Sequence, residues 1–304
     1  MTRFAASRRR FAAALVLAVA APRTLARPAP VEDDRGKVLR LQAPARRIVA
    51  LAPHLAELAF DAGAGGALVG AVRGSDYPPQ VRGLPVIGDA AGLDVERILA
   101  LRPDLVLGWR SGNRASDLER LEALGLPVFV SEPRRLRDVP AALRRLGTLA
   151  GTRPEAERAA QAFEAGLARI TAPSSSPVSV FVEIWHSPLM TVNGEHLISD
   201  VLAACGGLNV FAGMRVLAGS VDVESVLAAD PQVIIAATPP GQDALAAWRA
   251  LARLRAVQSG RLHAIDPDLL TRATPRILEG VERVCRWLRK ARPRSVTERR
   301  DRKA

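Results

Sequence analysis

The hydrophobic and polar positions of the chain form one arrangement that occurs twice. Residues 94–108 read DVERILALRPDLVLG, and residues 222–236 read DVESVLAADPQVIIA. Each copy begins with Asp-Val-Glu, continues as a short amphipathic stretch, reaches a proline and ends in an aliphatic run. This pattern predicts a short helix, ended by Pro103 or Pro231, and then a buried strand. A match of this length, repeated far along the chain, indicates two similar lobes and not a solenoid.

Strand and helix patterns alternate around both copies. The buried runs are 46–53, 67–72, 85–88, 104–109 and 127–132 in the first half, and 179–185, 233–238 and 261–266 in the second. Amphipathic stretches lie between most of these runs, which predicts parallel sheets with helices on both faces. The predicted fold class is therefore α/β, with two Rossmann-like parallel-sheet lobes. Loops at the carboxyl ends of such sheets surround a crevice, where a ligand would bind.

The segment 135–171 keeps a helical period with many charges and contains no strand pattern. Gly147 and the run Gly151-Thr152-Arg153-Pro154 weaken its middle. We interpret the segment as a long helix, in one piece or two, that joins an N-terminal lobe at 46–134 to a C-terminal lobe at 177–291. A surface helix packed on one lobe is the alternative.

The net charge of +12 is located at the two ends of the chain. Residues 1–27 and residues 289–304 each contribute +6, so the body at 28–288 is neutral. A general phosphate-binding surface therefore loses its main support, and we predict no nucleic-acid partner. The basic tail at 292–304 has almost no apolar content and is predicted to be disordered.

The N-terminus has the form of a secretory signal. Three arginines at 8–10 precede the apolar run FAAALVLAVAA, and small residues follow. This run is well under the ~20 residues that a membrane-spanning helix needs. We predict a signal peptide at 1–26 that is removed on export, with an uncleaved anchor as the alternative. The pentapeptide SRRRF at 7–11 also resembles the twin-arginine pattern, so both export routes stay open.

Cys205 and Cys285 are the only cysteines of the chain. Exported proteins meet an oxidising compartment, and an even count there favours a bridge over two buried free thiols. A bridge would join the last helix to the first helix of the second lobe. In the chain-entropy model, closing so long a loop stabilises by roughly 4–5 kcal/mol, and by less when the bridge is strained.

Signatures of catalysis are sparse. The histidines are His54, His186, His196 and His263, and none has the HExxH spacing of a zinc protease. The chain also lacks a nucleophile turn, a phosphate-binding loop and a dinucleotide-binding glycine pattern. A zinc site made by His54, His186 and an acid is the alternative that these residues leave open.

The few aromatic residues lie near predicted strand ends. The only tyrosine, Tyr77, is in the SDYPP loop, Trp109 ends a first-lobe strand and Trp185 ends a second-lobe strand beside His186. Flat rings that face a crevice suit a large planar ligand bound by stacking and burial. Ordinary packing in the core or at its rim is an equally good explanation for either tryptophan alone.

Four segments together resemble the periplasmic cobalamin-binding proteins of ABC importers. They are SDYPP (75–79), DVERILALRPDLVLGWRSGN (94–113), ACGGLN (204–209) and TRATPRI (271–277). The resemblance covers residues 46–291 in order, and its most specific parts are the WRSGN sequence and the cysteine pair. The wider class III of periplasmic binding proteins, which carries haem and siderophores, shares the form of the repeat. Membership implies two α/β lobes bridged by a rigid helix.

The resemblance also implies roles for individual residues. Tyr77 and the segment 268–272 would line the corrin site, Trp109 would stack at the cleft, and the cysteine pair would be the disulfide. Glu96 and Glu224 would dock onto arginines of a dimeric permease. A solvated first helical turn is the alternative for these acids, since a carboxylate there gains ~0.3–1 kcal/mol from the helix dipole.

Two positions depart from the family pattern. Ala90 and a residue near Ala218 stand where well-studied members have further cleft tryptophans, and Trp185 with His186 would compensate from the second lobe. Cobinamide, another corrinoid, or haem bound by Tyr77 therefore stay open as ligands. The complete ligand-binding set that we predict is Tyr77, Trp109, Asn113, Trp185, His186, Asp268, Leu269, Leu270, Thr271 and Arg272.

We therefore predict a non-enzymatic periplasmic carrier that captures a corrinoid, either cobalamin or cobinamide. It would act as a monomer without a resident cofactor or metal, and would deliver the ligand to the permease and ATPase of an ABC importer. Its only membrane contact would be through that permease. The alternatives are a haem or ferric-siderophore carrier of the same class and an exported metal-dependent enzyme.

Overall fold

The structure is a computed structural model of the chain and describes residues 27–89, 91–171 and 176–292. The predicted signal peptide at 1–26 lies outside the described residues, as do Ala90 and the predicted basic tail from residue 293 onward. Two lobes, each with its own four-stranded sheet, account for most of the described part of the chain.

The first lobe contains a parallel sheet with helices on both sides. Its strands are β1 (Val31–Glu32), β2 (Val38–Leu39), β3 (Ile48–Ala50), β4 (Leu68–Ala71), β5 (Gly88–Asp89), β6 (Gly92–Leu93), β7 (Leu105–Trp109) and β8 (Val128–Ser131). Its helices are α1 (Pro53–Asp61), α2 (Val95–Ala100) and α3 (Ala115–Ala123). The sheet has the order β4-β3-β7-β8, and β1 with β2 and β5 with β6 form separate antiparallel pairs.

Two helices, α4 (Asp138–Ala150) and α5 (Arg153–Ile170), follow the first lobe. The segment 135–171 is therefore not one continuous helix. The chain reverses at Gly151, whose φ of 72° is in the left-handed region that glycine adopts readily. The two helices pack side by side in opposite directions, and Arg144 of α4 binds both Glu157 and Glu164 of α5 at 2.8 and 2.7 Å.

The second lobe repeats the parallel architecture. Its strands are β9 (Val178–Glu183), β10 (Met190–Val192), β11 (Gly207–Asn209), β12 (Ala218–Ser220), β13 (Val233–Ala237) and β14 (Leu262–Ile265). Its helices are α6 (Leu197–Ala204), α7 (Val223–Ala229), α8 (Ala246–Arg249), α9 (Arg255–Gln258), α10 (Asp268–Thr271) and α11 (Ile277–Ala291). The sheet has the order β11-β9-β13-β14, and β10 pairs with β12. Helix α5 contacts α1 of the first lobe and α11 of the second, so it connects the two cores.

The predicted fold class is confirmed, since both four-stranded sheets are entirely parallel. Residues 105–107 of β7 and residues 233–235 of β13 are fully buried. A parallel strand covered by helices on both faces has apolar side chains at successive positions. This burial explains the aliphatic run that ends each copy of the repeat.

The two copies of the repeat also occupy equivalent places in the two sheets. In the first sheet Ala50 of β3 is opposite Leu107 of β7, and in the second sheet Val182 of β9 is opposite Ile235 of β13. Leu107 and Ile235 hold the same position within the repeat. The neighbouring strands β3 and β9 are therefore equivalent as well, with Ala50 matching Val182.

The start and end of the repeated helix are built alike in both lobes. Asp94 caps α2 by accepting the N–H of the third residue along, and Asp222 caps α7 in the same way. Each helix then ends before a non-glycine residue with positive φ, Arg102 at 46° and Asp230 at 40°. Among the described residues these two are the only such non-glycine positions. The shared sequence therefore encodes a shared backbone path.

One strand prediction in the first lobe is wrong. The run 85–88 does not join the sheet as a strand, because Val86 makes only an isolated bridge to Ala71. The chain then turns at Gly88, which has a φ of 133° and pairs with Leu93 in a small hairpin. The PVIG sequence has strand composition, and it makes backbone hydrogen bonds with Ala71 and Arg73 before it enters this turn.

The predicted disulfide is confirmed. Cys205 at the end of α6 is bonded to Cys285 in α11, with the two Cα atoms 4.6 Å apart. Both residues are buried, and α6 packs along α11. The bond closes a loop that spans 80 residues and fixes the last helix to the second lobe.

Replacing both cysteines, Cys205→Ala with Cys285→Ala, should lower the free energy of unfolding by about 2–5 kcal/mol, because the unfolded chain regains the freedom of a long loop. Urea unfolding of the purified protein measures this loss. Reductant should destabilise the unsubstituted protein to a similar extent and leave the double variant unchanged. Equal stability of the oxidised protein and the double variant would contradict the prediction.

Candidate functional site

The carboxyl ends of the two sheets meet at a cleft between the lobes. A pocket of about 30 Å³ lies there, lined by His54, Trp109 and Ser111 from the first lobe and by His196, Leu217 and Thr271 from the second. Of the predicted ligand-binding residues, Trp109 and Thr271 thus meet in one pocket. Trp109 and Asn113 line a neighbouring pocket on the first-lobe side, and Trp185 and His186 line another on the second-lobe side.

The WRSGN turn holds the ring of Trp109 in place. Asn113 accepts the N–H of Trp109 through Oδ1 at 2.7 Å, donates its own N–H to the Trp109 carbonyl at 2.9 Å, and donates through Nδ2 to the carbonyl of Leu51 at 2.9 Å. A Cβ at Gly112 would overlap the Trp109 ring, so glycine is required for the ring to lie there. The predicted ligand-binding residue Asn113 therefore serves to position Trp109.

His54 supports the same ring from the first turn of α1. Its ring meets Trp109 edge to face, with centroids 5.0 Å apart at 84°. His54 is only 6% exposed. Burial and the charge of Arg272 lower its pKa to about 3, so the imidazole is neutral at physiological pH.

Tyr77 lies at the first-lobe side of the cleft and is 43% exposed. The guanidinium of Arg276, from the second lobe, lies over its ring at 4.3 Å from the centroid. This is cation–π geometry, and it holds the Tyr77 ring between the lobes. Tyr77 thus contacts the opposite lobe directly.

The segment 268–272 divides between cleft and core. Arg272 binds Asp268 at 2.8 Å within its own lobe and reaches Asp76 of the first lobe at 2.9 Å. Leu270 is fully buried, and Leu269, which is 6% exposed, lines a separate second-lobe pocket with Thr238 and Asp266. They pack in the core because α10 turns that face inward, which leaves the charged residues and Thr271 for the cleft.

The buried acid that joins the lobes is absent from the sequence-based predictions. Glu57 of α1 is fully buried and accepts from Thr274 Oγ1 at 2.6 Å and from Nε and Nη2 of Arg276 at 3.0 Å each. Arg272 lies 3.6 Å from the same carboxylate. The one sequence signal was an acid within the apolar helix HLAELAFDAG. Both arginines belong to the TRATPRI segment, and the buried carboxylate fixes their guanidinium groups between the lobes.

The second-lobe pocket contains an exposed aromatic ring and a histidine–carboxylate pair. Trp185 is 62% exposed and donates Nε1–H to the Ser187 carbonyl. His186 Nδ1 lies 2.8 Å from Oε1 of Glu183, which is buried and also accepts from the indole of Trp248. Both predicted residues therefore lie at the carboxyl end of β9.

The twin acids occupy equivalent exposed positions. Glu96 in α2 and Glu224 in α7 are both in the first helical turn and face solvent. Within the described residues, neither carboxylate has an ion pair or side-chain hydrogen bond, because the helix cap is made by the preceding Asp94 or Asp222. Both acids are thus available to an external partner.

Two classes of feature are missing from the described parts of the chain. Residues 27–89, 91–171 and 176–292 contain no group of three or more histidine, cysteine or acidic side chains arranged to hold a metal ion. The zinc site suggested for His54 and His186 therefore has no support there. Over the same ranges, no helix combines the length and the apolar character needed to cross a bilayer.

Asp61 lies one helical turn after Glu57. Burial, followed by the negative charge of Glu57, raises its pKa to about 7. The folded protein then holds this proton more tightly than the unfolded chain, so the group progressively destabilises the fold as pH rises from about 4 through 7. Asp61→Asn should therefore increase stability more at pH 8 than at pH 5, by roughly 2 kcal/mol, since a tenfold difference in proton affinity corresponds to about 1.4 kcal/mol.

Urea unfolding at the two pH values measures this difference. Glu119→Gln, at an exposed position of α3, is the matched control and should show no such pH dependence. A stability difference for Asp61→Asn that is the same at pH 5 and pH 8 would contradict the assignment.

Comparison with known proteins agrees with this architecture. The chain matches the periplasmic binding protein family over residues 48–269. It is 36% identical over 252 residues to a vitamin B12-binding protein of Vibrio cholerae serotype O1, a match that covers 81% of this chain and 90% of that protein. Its fold is similar to the crystal structure of the periplasmic vitamin B12 binding protein BtuF of Vibrio cholerae, with a TM-score of 0.76 and 35% identity over 82% of this chain and 98% of that one.

The periplasmic heme-binding protein RhuT from Roseiflexus sp. RS-1 is also similar, with a TM-score of 0.71 and 26% identity over 81% of this chain and 99% of that one. The likeness supports the two-lobed class III fold that the sequence predicts for this chain. The family match covers most of the chain, including both parallel sheets and the cleft between them. This chain is a member of the periplasmic binding protein family.

Proposed function

We propose that the protein captures a corrinoid, cobalamin or cobinamide, in the cleft between its lobes and delivers it to an inner-membrane ABC importer. The vitamin B12-binding proteins to which it is similar support this class of ligand. The observation that carries the proposal is the position of Trp109, whose ring is held at the cleft by a turn that requires Gly112 and Asn113.

The cleft suits the chemistry of a corrin. This ligand is a broad ring with amide side chains, so it needs an aromatic surface together with polar groups at its edge. Trp109 and Tyr77 supply rings, while Thr271 and Arg272 supply a hydroxyl and a guanidinium from the other lobe. Aromatic burial of this kind gives most of the affinity, and the polar groups fix the orientation.

A carrier fits the cleft better than an enzyme does. Burial lowers the pKa of His54 to about 3 and that of His196 to about 4, where the charge of Arg134 contributes as well. Both imidazoles are far from the value near 7 that suits a general acid or base at neutral pH. His196 is also used as a cap, since its Nδ1 accepts the N–H of Ile198.

A haem carrier is the second candidate. It is favoured by the heme-binding protein among the structural neighbours, which is 26% identical. The higher identity to vitamin B12-binding proteins, 36% over 252 residues, favours the corrinoid. The same binding measurement separates the two ligands.

Delivery would use the twin acids. Glu96 and Glu224 lie on equivalent helices of the two lobes, are exposed, and have no partner among the described residues. A permease dimer has two equivalent surfaces, and two equivalent carboxylates match such a two-fold partner. The monomeric carrier would meet the membrane only through this permease and its ATPase.

The site of action would be the periplasm, reached with the signal peptide at 1–26. The family is one of periplasmic binding proteins, and the Cys205–Cys285 bond belongs to an oxidising compartment. Both export routes remain compatible with this location.

Titration of the purified protein with cyanocobalamin should show saturable one-to-one binding by calorimetry. Gly112→Ala should weaken it at least about tenfold, or about 1.4 kcal/mol, because the added methyl group displaces the Trp109 ring. Gly66→Ala is the matched control, since a Cβ there meets nothing within 4 Å, and it should bind normally. Tight binding of haemin with none of cyanocobalamin would overturn the corrinoid proposal.

Reversing both twin acids, Glu96→Lys with Glu224→Lys, should abolish corrinoid uptake by the reconstituted importer while leaving cyanocobalamin affinity within about twofold. The expected loss follows from placing two cations against the permease arginines. Glu119→Lys with Glu279→Lys is the control, since it makes the same charge change at other exposed helical positions. Uptake that survives reversal of Glu96 and Glu224 would show that docking uses other residues.

A further inference from the structure

The duplicated frame places a histidine at the same position in both lobes. Ala50 and Val182 are equivalent residues of the central strands, since each lies opposite the same position of the repeat. His54 is four residues after Ala50, and His186 is four residues after Val182. The two imidazoles therefore leave the carboxyl ends of equivalent strands, one on each side of the cleft.

The surroundings of the two histidines differ: one supports another side chain, and the other is open to a ligand. His54 is 6% exposed and packs against Trp109, so it is part of the wall behind the ring. The His186 side chain is 55% exposed and lines the second-lobe pocket beside Trp185. Of these two equivalent histidines, only His186 is exposed enough to present a ring nitrogen to a ligand.

Hydrogen bonds define which nitrogen of His186 is free. Glu183, which is 1% exposed, lies 2.8 Å from Nδ1 through Oε1 and accepts the indole N–H of buried Trp248 through Oε2. A carboxylate only accepts, so Nδ1 carries the hydrogen and Nε2 keeps its lone pair in the neutral ring. A carboxylate that orients a histidine through its other nitrogen is the arrangement found behind metal-binding histidines.

The pocket offers one histidine nitrogen, and its acids Glu183 and Asp243 do not form a metal-binding group with it. Among the described residues, no three histidine, cysteine or acidic side chains form a metal cluster. A single imidazole suits a metal that already has its four equatorial ligands, as cobalt has in a corrin. The histidine–carboxylate pair therefore matches the proposed ligand better than it matches a metal ion alone.

We propose that Nε2 of His186 becomes an axial ligand of the cobalt in corrinoids that carry an exchangeable water. This inference rests on the proposed function and adds a selectivity to it. In the exchange the Co(III)–OH₂ bond breaks, the Nε2 lone pair forms a Co–N bond, and water leaves with no change in oxidation state. Corrinoids with a bound water would be retained more tightly than those whose axial position is blocked by cyanide.

The visible and near-ultraviolet spectrum of aquocobalamin tests this exchange. Bound to the unsubstituted protein at neutral pH, aquocobalamin should acquire the spectrum that it shows with free imidazole. His186→Ala should abolish the spectral change and weaken aquocobalamin binding at least about tenfold more than it weakens cyanocobalamin binding. His263→Ala is the matched control, because His263 stacks on Trp287 outside the second-lobe pocket.

Glu183→Gln probes the positioning role of the carboxylate. The single amide oxygen can accept from Nδ1 of His186 or from the indole of Trp248 but not from both, and the loss of charge also makes the imidazole a weaker ligand. We expect about 10–100-fold weaker ligation, read from the aquocobalamin concentration at which the spectrum changes. An unchanged midpoint would show that Glu183 does not strengthen the ligation by His186.

The outcomes distinguish this inference from the function on which it rests. If cyanocobalamin binds but the aquocobalamin spectrum does not change, axial ligation is wrong and the corrinoid carrier stands. The same holds if His186→Ala gives the full spectral change. If neither corrinoid binds, the proposed function is overturned and the axial ligand with it.

Discussion

The buried carboxylate of Glu57 is the interaction on which the arrangement of the cleft depends. It is fully enclosed in the first lobe, yet its hydrogen bonds come from Thr274 and Arg276 of the second. Enclosing a charge is costly unless it is paired and hydrogen-bonded, and losing one partner of such a pair destabilises by about 3–5 kcal/mol. Arg276 also covers Tyr77, and neighbouring Arg272 reaches Asp76. One buried acid thus orders the groups on both sides of the cleft.

The contact between Glu57 and the second lobe lies within a fold whose central strands and repeated helices occur once in each lobe. The two sheets have equivalent strands. The repeated helices both begin with an aspartate cap, and both are followed by a residue of left-handed backbone conformation at the same position of the repeat. The outer surface is consequently symmetrical, with Glu96 matched by Glu224. The cleft is not symmetrical, because the first copy of the repeat runs on into Trp109, whereas the equivalent position of the second copy is Ala237. One duplicated fold can therefore present a symmetrical surface to a two-fold partner and an asymmetric cleft to a ligand.

The features that the sequence predicts are those with a local or compositional signal. Parallel strands buried on both faces leave continuous aliphatic runs, so the fold class is visible in the repeat. The Cys205–Cys285 bond follows from an even count in an exported chain. Glu57 is different, since its partners lie 217 and 219 residues away and an acid in an amphipathic helix is ordinarily solvated. Leu270 belongs to a four-residue helix, too short for periodicity to reveal its buried side.

Asn113 shows the same limit in the cleft itself. Its motif identifies the residue as important, but only the turn geometry shows that its polar atoms bind backbone groups around Trp109. A side chain that supports another residue does so through contacts that form only in the folded structure, so its role is not visible in the sequence.

The most direct test of the central claim, that the cleft between the lobes is a corrinoid site, is a crystal structure of the protein with cyanocobalamin. The account predicts one corrin between the lobes, in contact with the ring of Trp109 and with the polar side chains at Thr271 and Arg272. A corrin bound elsewhere on the surface, or an empty cleft at saturating ligand, would contradict it.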